Sequence, residues 1–233
     1  MNDDAAIAAH WAALRERADA AARRAGRDPA SVQIVGAAKK QTPERVAAAV
    51  RAGLRDVGEN YVQEAAAKRS AVEALVGPAL AASLRWHGIG HLQSNKAKEA
   101  IALFDWLHAV DGPRLARELD RRAAEAGRDV VVLLQLNLSG EATKSGVAEA
   151  ELPALLDAVR PLAHLRCVGL MTMPAPDPDS EAARPSFARL RAIAGAAGLS
   201  ELSMGMSDDF EVAIEEGATL VRIGTALFGP REG

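Results

Sequence analysis

The stretch DVVVLLQLNLS, residues 129–139, decides how the rest of the chain is read. Val130 to Leu134 are all branched aliphatics, and Leu136 and Leu138 carry the apolar character on. A strand with one wet face alternates apolar with polar residues. A continuous run needs cover on both faces, which is the condition of a parallel sheet flanked by helices. Outward from it, GPRLARELDRRAAEAG (112–127) and EAELPALLDAVRPLA (149–163) have helical spacing, the second with Pro153 in its first turn. The same alternation fills the sequence. Strands are expected at SVQIVGAA (31–38), RDVG (55–58), RWHGIG (85–90), WLHAV (106–110), LRCVGLMTM (165–173), LSELSMG (199–205) and TLVRIG (219–224), with helices between them. With 129–139 that makes eight strands. Eight such units predict an α/β architecture, a single (β/α)8 TIM-type barrel over residues 1–233 with an extra N-terminal helix at 5–25. A doubly wound open sheet is the alternative, because counting units does not close a sheet.

Local punctuation agrees with this reading. Gly26 and Asp28-Pro29 close the first helix, Thr42 and Pro43 supply an N-cap and first-turn proline, and Gly53 ends that helix. PAPDPDSEAARP (174–185) is read as a mobile Pro-rich loop, not as a domain linker. The 233 residues are 49% hydrophobic, enough for a large core, and the net charge is −3. With 3% aromatic residues and no recurring basic face, nucleic-acid binding is not expected. One cysteine, Cys167, allows no disulfide framework. The N-terminus lacks a signal pattern, and no apolar run approaches the roughly 20 residues of a membrane helix. A soluble, monomeric, cytoplasmic protein is expected.

In a barrel the functional groups lie at the C-terminal ends of the strands. Lys39, Glu59, Asn60, His87, Asn137, Met171, Thr172 and Arg222 fall at or just beyond expected strand ends. The loops after strands seven and eight are the ones that often hold phosphate in this architecture. SMGMS (203–207) leads into a helix start, with Gly205 allowing close backbone approach and Ser207 offering a hydroxyl. GTALFG (224–229) gives a second glycine turn beside Thr225. Asp208 and Asp209 oppose an anion unless they point away.

The chain has six lysines among 28 basic residues, two of them adjacent at 39 and 40. Only lysine can give up its proton and act as an amine. By strand alternation Val35, Ala37 and Lys39 share a face, which places Lys39 at the barrel mouth with the phosphate loops. A Schiff base with pyridoxal 5′-phosphate and a solvated surface lysine are both open readings of Lys39. Arg222 shares a face with Gly224, and its partner is either the cofactor's ring nitrogen or a carboxylate such as Glu59. His87 and His91 are separated by glycines, which argues against a zinc pair. GHLQSNK (90–96) is either a second anion site with Lys96 or an ordinary turn capped by Ser94. Glu141 and Lys144 are read as a surface pair, and Cys167 as core.

Several segments together resemble one family: AAK (37–39), GENYVQE (58–64), WHGIGHLQSNK (86–96), NLSGEATKSG (137–146), GLMTMPAP (169–176) and LSMGMSDDFEVAIEEGATLVRIGTALFG (202–229). The chain is similar to the pyridoxal-phosphate homeostasis proteins from about Ala5 to Gly229. The resemblance implies a barrel like the N-terminal domain of alanine racemase, with pyridoxal 5′-phosphate held as a Schiff base on Lys39. It implies cofactor contacts from Asn60, Met206, Ser207, Gly224 and Thr225, and Arg222 near the pyridine nitrogen. It implies no catalytic residue and no metal. The expected role is to carry or buffer the cofactor and regulate vitamin B6 and amino- and keto-acid pools, with transient contact with apoenzymes. One departure is visible: the family's Val-Ser-Lys-Thr reads Ala-Ala-Lys-Lys here. The alternative is an amino-acid racemase of the same fold type. Racemisation needs a second base, which those enzymes draw from a C-terminal domain, and few residues follow strand eight here. Tyr61, read as a packing or capping residue, and His87 are the other candidate bases.

Overall fold

The computed structural model describes residues 3–139, 145–175 and 177–229, so Glu141 and Lys144 lie outside the described residues. Eight parallel strands close into a barrel in chain order. They are β1 (Gln33–Ala37), β2 (Asp56–Glu59), β3 (Arg85–Gly88), β4 (Trp106–Val110), β5 (Val130–Gln135), β6 (Leu165–Met171), β7 (Glu201–Ser203) and β8 (Leu220–Ile223). Closure is between β1 and β8, with Val35 opposite Arg222. The open-sheet alternative is thereby excluded.

Residues 129–139 show why the strands are apolar throughout. In β5, Val130, Val132 and Leu134 pack into the layer between sheet and helices. Leu133 points the other way, into a small barrel-interior cluster with Val35, Ile89, Met171 and Leu220. Both faces of the strand are dry, and alternation between them needs no polar residue.

The outer layer comprises α1 (Asp3–Arg24), α2 (Pro43–Ala52), α3 (Val62–Val76), the short α4 (Pro78–Ala81), α5 (Ala97–Leu103), α6 (Pro113–Ala126), α7 (Leu152–Val159), α8 (Arg184–Ala197), α9 (Phe210–Glu215) and α10 (Thr225–Phe228). The Thr42 side chain accepts from the Arg45 N–H, as its N-cap position predicts. The additional helix α1 buries Ile7, Leu14, Ala18, Ala21 and Ala22 and packs on α2, α9 and α10, over the closing seam. Burying Ile7 and Leu14 alone is worth about 1.5–3 kcal/mol each.

Three local expectations change. Residues 174–185 are not all loop: a 3-10 turn at Ser180–Ala183, started by the Asp179 carboxylate accepting from the Glu181 N–H, runs into α8. Ser94 is not an N-cap; it lies inside a 3-10 turn, Ser94–Lys96, that leads into α5. The segment after Gly224 is a one-turn helix, α10, not only a glycine turn.

Candidate functional site

The site is built at the C-terminal mouth. β1 ends at Ala37. The Ala38 N–H continues the ladder to the Gly58 carbonyl at 2.8 Å. Val35 and Ala37 face the barrel interior, so the alternation that puts Lys39 on that side begins as expected. Lys39 itself is half-buried, whereas Lys40 is exposed. Lys40 has φ +61, the one described non-glycine residue in the left-handed region. That turn sets the two lysines in different environments despite their adjacency.

Ala38 is also held from outside the barrel. Lys68 on α3 donates to the Ala38 carbonyl at 2.7 Å and to Glu59 Oε1 at 2.6 Å. Glu59 is fully buried and faces the helices, because Asp56 and Gly58 take the interior positions of β2. Glu59 therefore pairs with Lys68 and not with Arg222. Burial pushes its carboxyl above the usual range, and Lys68 offsets that only in part. Its second oxygen, Oε2, has no hydrogen-bond partner.

The loops after β7 and β8 lie side by side. Gly205 has φ +91, and a Cβ there would sit 2.5 Å from the Ala213 Cβ, so both backbone freedom and lack of a side chain are required. The helix does not start at Ser207 as the sequence suggests. A turn at Ser207–Asp209 precedes α9. Asp209, which the sequence sets against an anion site, is turned inward, its carboxylate accepting from the Met206 N–H at 2.6 Å. Burial raises the Asp209 carboxyl, with the Met206 N–H and the charge of Arg222 opposing the rise. Ser207 Oγ accepts from the Ala226 N–H at 3.3 Å, which ties the two loops together. Ser207, Asp208, Thr225 and Ala226 line a cavity of about 810 Å³ with Arg17, Asp177 and Pro178. Arg17 comes from α1, pairs with Glu211 at 2.6 Å and stacks its guanidinium 4.7 Å from the Phe210 ring centroid.

Beside these loops Arg222 points into the barrel and is buried. It donates from Nη1 to Ser203 Oγ at 2.6 Å and from Nη2 to the Thr172 carbonyl at 3.0 Å. Burial lowers its pKa to about 10, with Asp209 opposing, so the guanidinium is charged at neutral pH. Gly224, two residues on, is close to Ala37: its missing Cβ would lie 3.8 Å from the Ala37 Cβ. The β8 terminus thus adjoins the strand end that carries Lys39.

From Ser203 a line of polar side chains continues down the barrel. Ser203 Oγ is 2.8 Å from His108 Nδ1, His108 Nε2 is 2.9 Å from His87 Nδ1, and His87 Nε2 is 2.9 Å from Asp56 Oδ1. Arg85 closes the line on Asp56 at 2.6 Å. His87 is therefore not a base at the mouth: it is fully buried and spends both ring nitrogens inside the barrel.

The remaining candidates lie elsewhere. Asn60 lines another cavity of about 390 Å³, with Tyr61, Gly90, His91 and Lys96. Tyr61 precedes α3 but makes no side-chain cap, and at 57% exposure it does not pack either. His91 pairs with Asp111 at 3.2 Å, well apart from the bonds His87 makes. No cluster that could hold a metal occurs among the described residues. Cys167 is half-buried on β6, and burial raises its thiol. Arg17 and the two-histidine line are functional candidates that the sequence reading missed.

A closed eight-stranded parallel barrel whose mouth gathers a half-buried lysine, two hydroxyl-bearing loops and a buried arginine defines a class by its architecture: a TIM-type barrel with its polar groups collected at the C-terminal ends of the strands. The chain belongs to the alanine racemase N-terminal domain family, which matches residues 9–232. It is 46% identical over 228 residues to the pyridoxal phosphate homeostasis protein of Pseudomonas aeruginosa, covering 97% of this chain and 96% of that one. It is 43% identical over 240 residues to the protein of the same name in Escherichia coli, covering 100% and 98%. Among solved structures, PipY of Synechococcus elongatus with pyridoxal phosphate bound is 38% identical with a TM-score of 0.82, covering 96% of this chain and 100% of that chain. Alanine racemase of Corynebacterium glutamicum, at 19% identity and a TM-score of 0.68, shares the fold over 95% of this chain and 62% of its own.

Proposed function

We propose that this protein binds pyridoxal 5′-phosphate, carries and buffers it, and so regulates vitamin B6 and amino- and keto-acid homeostasis. The observation that carries the reading is the meeting of β1 and β8 at one mouth. It brings the strand end bearing Lys39 next to Gly224, beside the cavity lined by Ser207 and Thr225. The donors suit the group, with Arg17 set against the Asp177 and Asp208 carboxylates that line the same cavity. Hydroxyls and the Arg17 guanidinium suit a phosphate, Arg222 suits a ring nitrogen that stays unprotonated, and an amine suits an aldehyde. Lys39 would hold the cofactor, its amine being the group suited to a Schiff base with the aldehyde. Ser207, Thr225, Gly224 and the Met206 segment would surround the phosphate, and Asn60, which follows β2 and lines the adjoining cavity, would approach the ligand only from that side. When bound, the cofactor supplies a reactive aldehyde that can be handed on.

Carriage is preferred to racemisation. Racemisation takes a base on each side of the reacting carbon. His87, one candidate second base, is committed to Asp56 and His108. The protein acts as a single-domain monomer in the cytoplasm and meets apoenzymes transiently. No helix among the described residues is long and apolar enough to cross a membrane.

Borohydride reduction of the holoprotein followed by peptide mapping tests the reading. The expected label is on Lys39. A label confined to Lys40, or none, refutes it. Incubation with L-alanine in deuterium oxide, following the α-hydrogen and chirality, tests the carrier role: racemisation or α-exchange at roughly 1–10³ s⁻¹ would refute it, and loss of chirality would favour a racemase.

A further inference from the structure

The interior of a TIM-type barrel is ordinarily filled by layers of branched aliphatic side chains. Here a polar column runs through it from Arg222 to Arg85, and the proposed cofactor contacts do not account for it. Its proton inventory is determined by its ends. Arg222 has donors only. Asp56 has acceptors only while ionised. Burial pushes its carboxyl up, but His87 and Arg85 more than offset this and hold it below the usual carboxylate range. His87 must therefore present Nε2–H to Asp56, and when neutral it leaves Nδ1 as an acceptor. His108 must then donate from Nε2 and accept at Nδ1. Ser203 must donate its one hydroxyl hydrogen to His108, which leaves Oγ to accept from Arg222. Each hydrogen bond is then satisfied once, and all point from mouth to base. The opposite arrangement, with His87 doubly protonated, would add a cation to an interior that already holds Arg222. It would also leave Ser203 Oγ accepting from both sides with its own hydrogen displaced.

We infer that Asp56, His87, His108 and Ser203 are positioning residues that form a one-way hydrogen-bond relay, anchored at the N-terminal end of the barrel, which fixes Arg222 as a donor at the mouth. The inference rests on the reading of Arg222 as the partner of the cofactor's ring nitrogen. Two guanidinium hydrogens are committed downward, to Ser203 and Thr172, and this leaves the remaining N–H groups to face the ligand in one orientation. The charged neighbours of the relay are Arg222 and Asp209 at the mouth and Arg85 at the base, the last half-exposed to solvent.

The test is nitrogen-15 NMR of the histidine rings in the full chain, with and without pyridoxal 5′-phosphate. The expected result at pH 7.5 is an Nε2–H tautomer with Nδ1 accepting at both His87 and His108. An Nδ1–H tautomer at either ring, or a charged His87 at pH 7.5, overturns the relay. Ser203→Ala should shift the His108 Nδ1 resonance and weaken pyridoxal 5′-phosphate by roughly two- to tenfold, the loss of one hydrogen bond. Ser203→Thr, which keeps the hydroxyl, should restore both. An unmoved His108 resonance in a folded Ser203→Ala protein overturns the relay even if affinity falls. The ligand-free tautomers decide the relay whatever the ligand does, whereas failure of the wild type to take up pyridoxal 5′-phosphate overturns only the cofactor reading.

Discussion

Lowering the pH below 6.5 should destabilise this protein through one side chain, His108. The ring is fully buried between His87 and Ser203. Burial, with the charge of Arg222 adding to it, holds its pKa well below 6.5. The sign follows from linkage. An unfolded histidine takes up a proton below about pH 6.5, whereas the folded one does not, so the unfolded state binds more protons and gains on acidification. The contribution of His108 is complete above its unfolded pKa and is lost as pH falls toward the folded one. One full proton of difference gives about 1.4 kcal/mol per pH unit, and because the unfolded ring is half protonated at pH 6.5 the loss reaches at most about 1.6 kcal/mol by pH 5. That is a large part of a total near 5–15 kcal/mol.

The assay is urea unfolding from pH 8 to 5 on the wild type and His108→Gln, each shown to be folded. Glu59 and Asp209, whose carboxyls are raised, act with the opposite sign at lower pH, but they are present in both proteins and leave the difference unchanged. The stability difference between wild type and variant should shrink as pH falls below 6.5, by at most about 1.6 kcal/mol by pH 5. A difference that stays flat from pH 7.5 to 5.5 would refute the account of His108 as a buried neutral ring.

Three further outcomes are expected. Ser207→Ala with Thr225→Ala should weaken pyridoxal 5′-phosphate about a hundredfold or more, from two charge-assisted hydrogen bonds of about 1.5–3 kcal/mol each, and unphosphorylated pyridoxal little; equal losses in a fluorescence titration would remove these hydroxyls from the phosphate. Gly205→Ala should cost about 1–3 kcal/mol in urea unfolding, because its φ is +91 and the new Cβ meets Ala213; a neutral result would mean the turn repacks freely. Lys68→Met should cost about 3–5 kcal/mol by leaving Glu59 charged and alone, and adding Glu59→Leu should recover most of it; a single-variant loss under about 1 kcal/mol would show that the pair is not closed off from water.

The eight strands were legible because each is a short apolar run set between helices, and β5 makes the two-sided burial explicit. The loops proposed to hold the phosphate were legible in part. SMGMS and GTALFG were recognisable from glycine and hydroxyl placement, but the helix was expected at Ser207, and the role of Asp209 was reversed by a carboxylate that accepts from Met206. Period-2 alternation applied along β2 would have sent Glu59 outward, since Gly58 faces Val35 across the interior. The same rule applied to WLHAV pairs His108 with Trp106, whose side chain packs on the interior cluster. What the rule cannot supply is that two histidines from neighbouring strands, a serine from β7 and an aspartate from β2 stand in line. That depends on barrel stagger. Arg17 was illegible for a similar reason, because nothing in α1 says which end of the closing seam it reaches.

Neither the relay nor the Lys68–Glu59 pair is well explained by stability. Apolar side chains of similar volume would serve a barrel interior as well, and a buried ion pair is often no better than its hydrophobic replacement. What the two devices share is their target. Lys68 grips the carbonyl of Ala38, the residue before Lys39, from the helix layer. Ser203 grips Arg222 from inside the barrel. The amine proposed to bond the aldehyde and the guanidinium proposed to face the ring nitrogen are thus each supported from a different side of the sheet. Variants that restore stability with apolar pairs separate the two explanations. Lys68→Met with Glu59→Leu should fold nearly as well as the wild type yet hold pyridoxal 5′-phosphate less tightly, because the carbonyl beside Lys39 has lost its donor. Wild-type affinity in that double variant would mean that the outer pair supports only the fold.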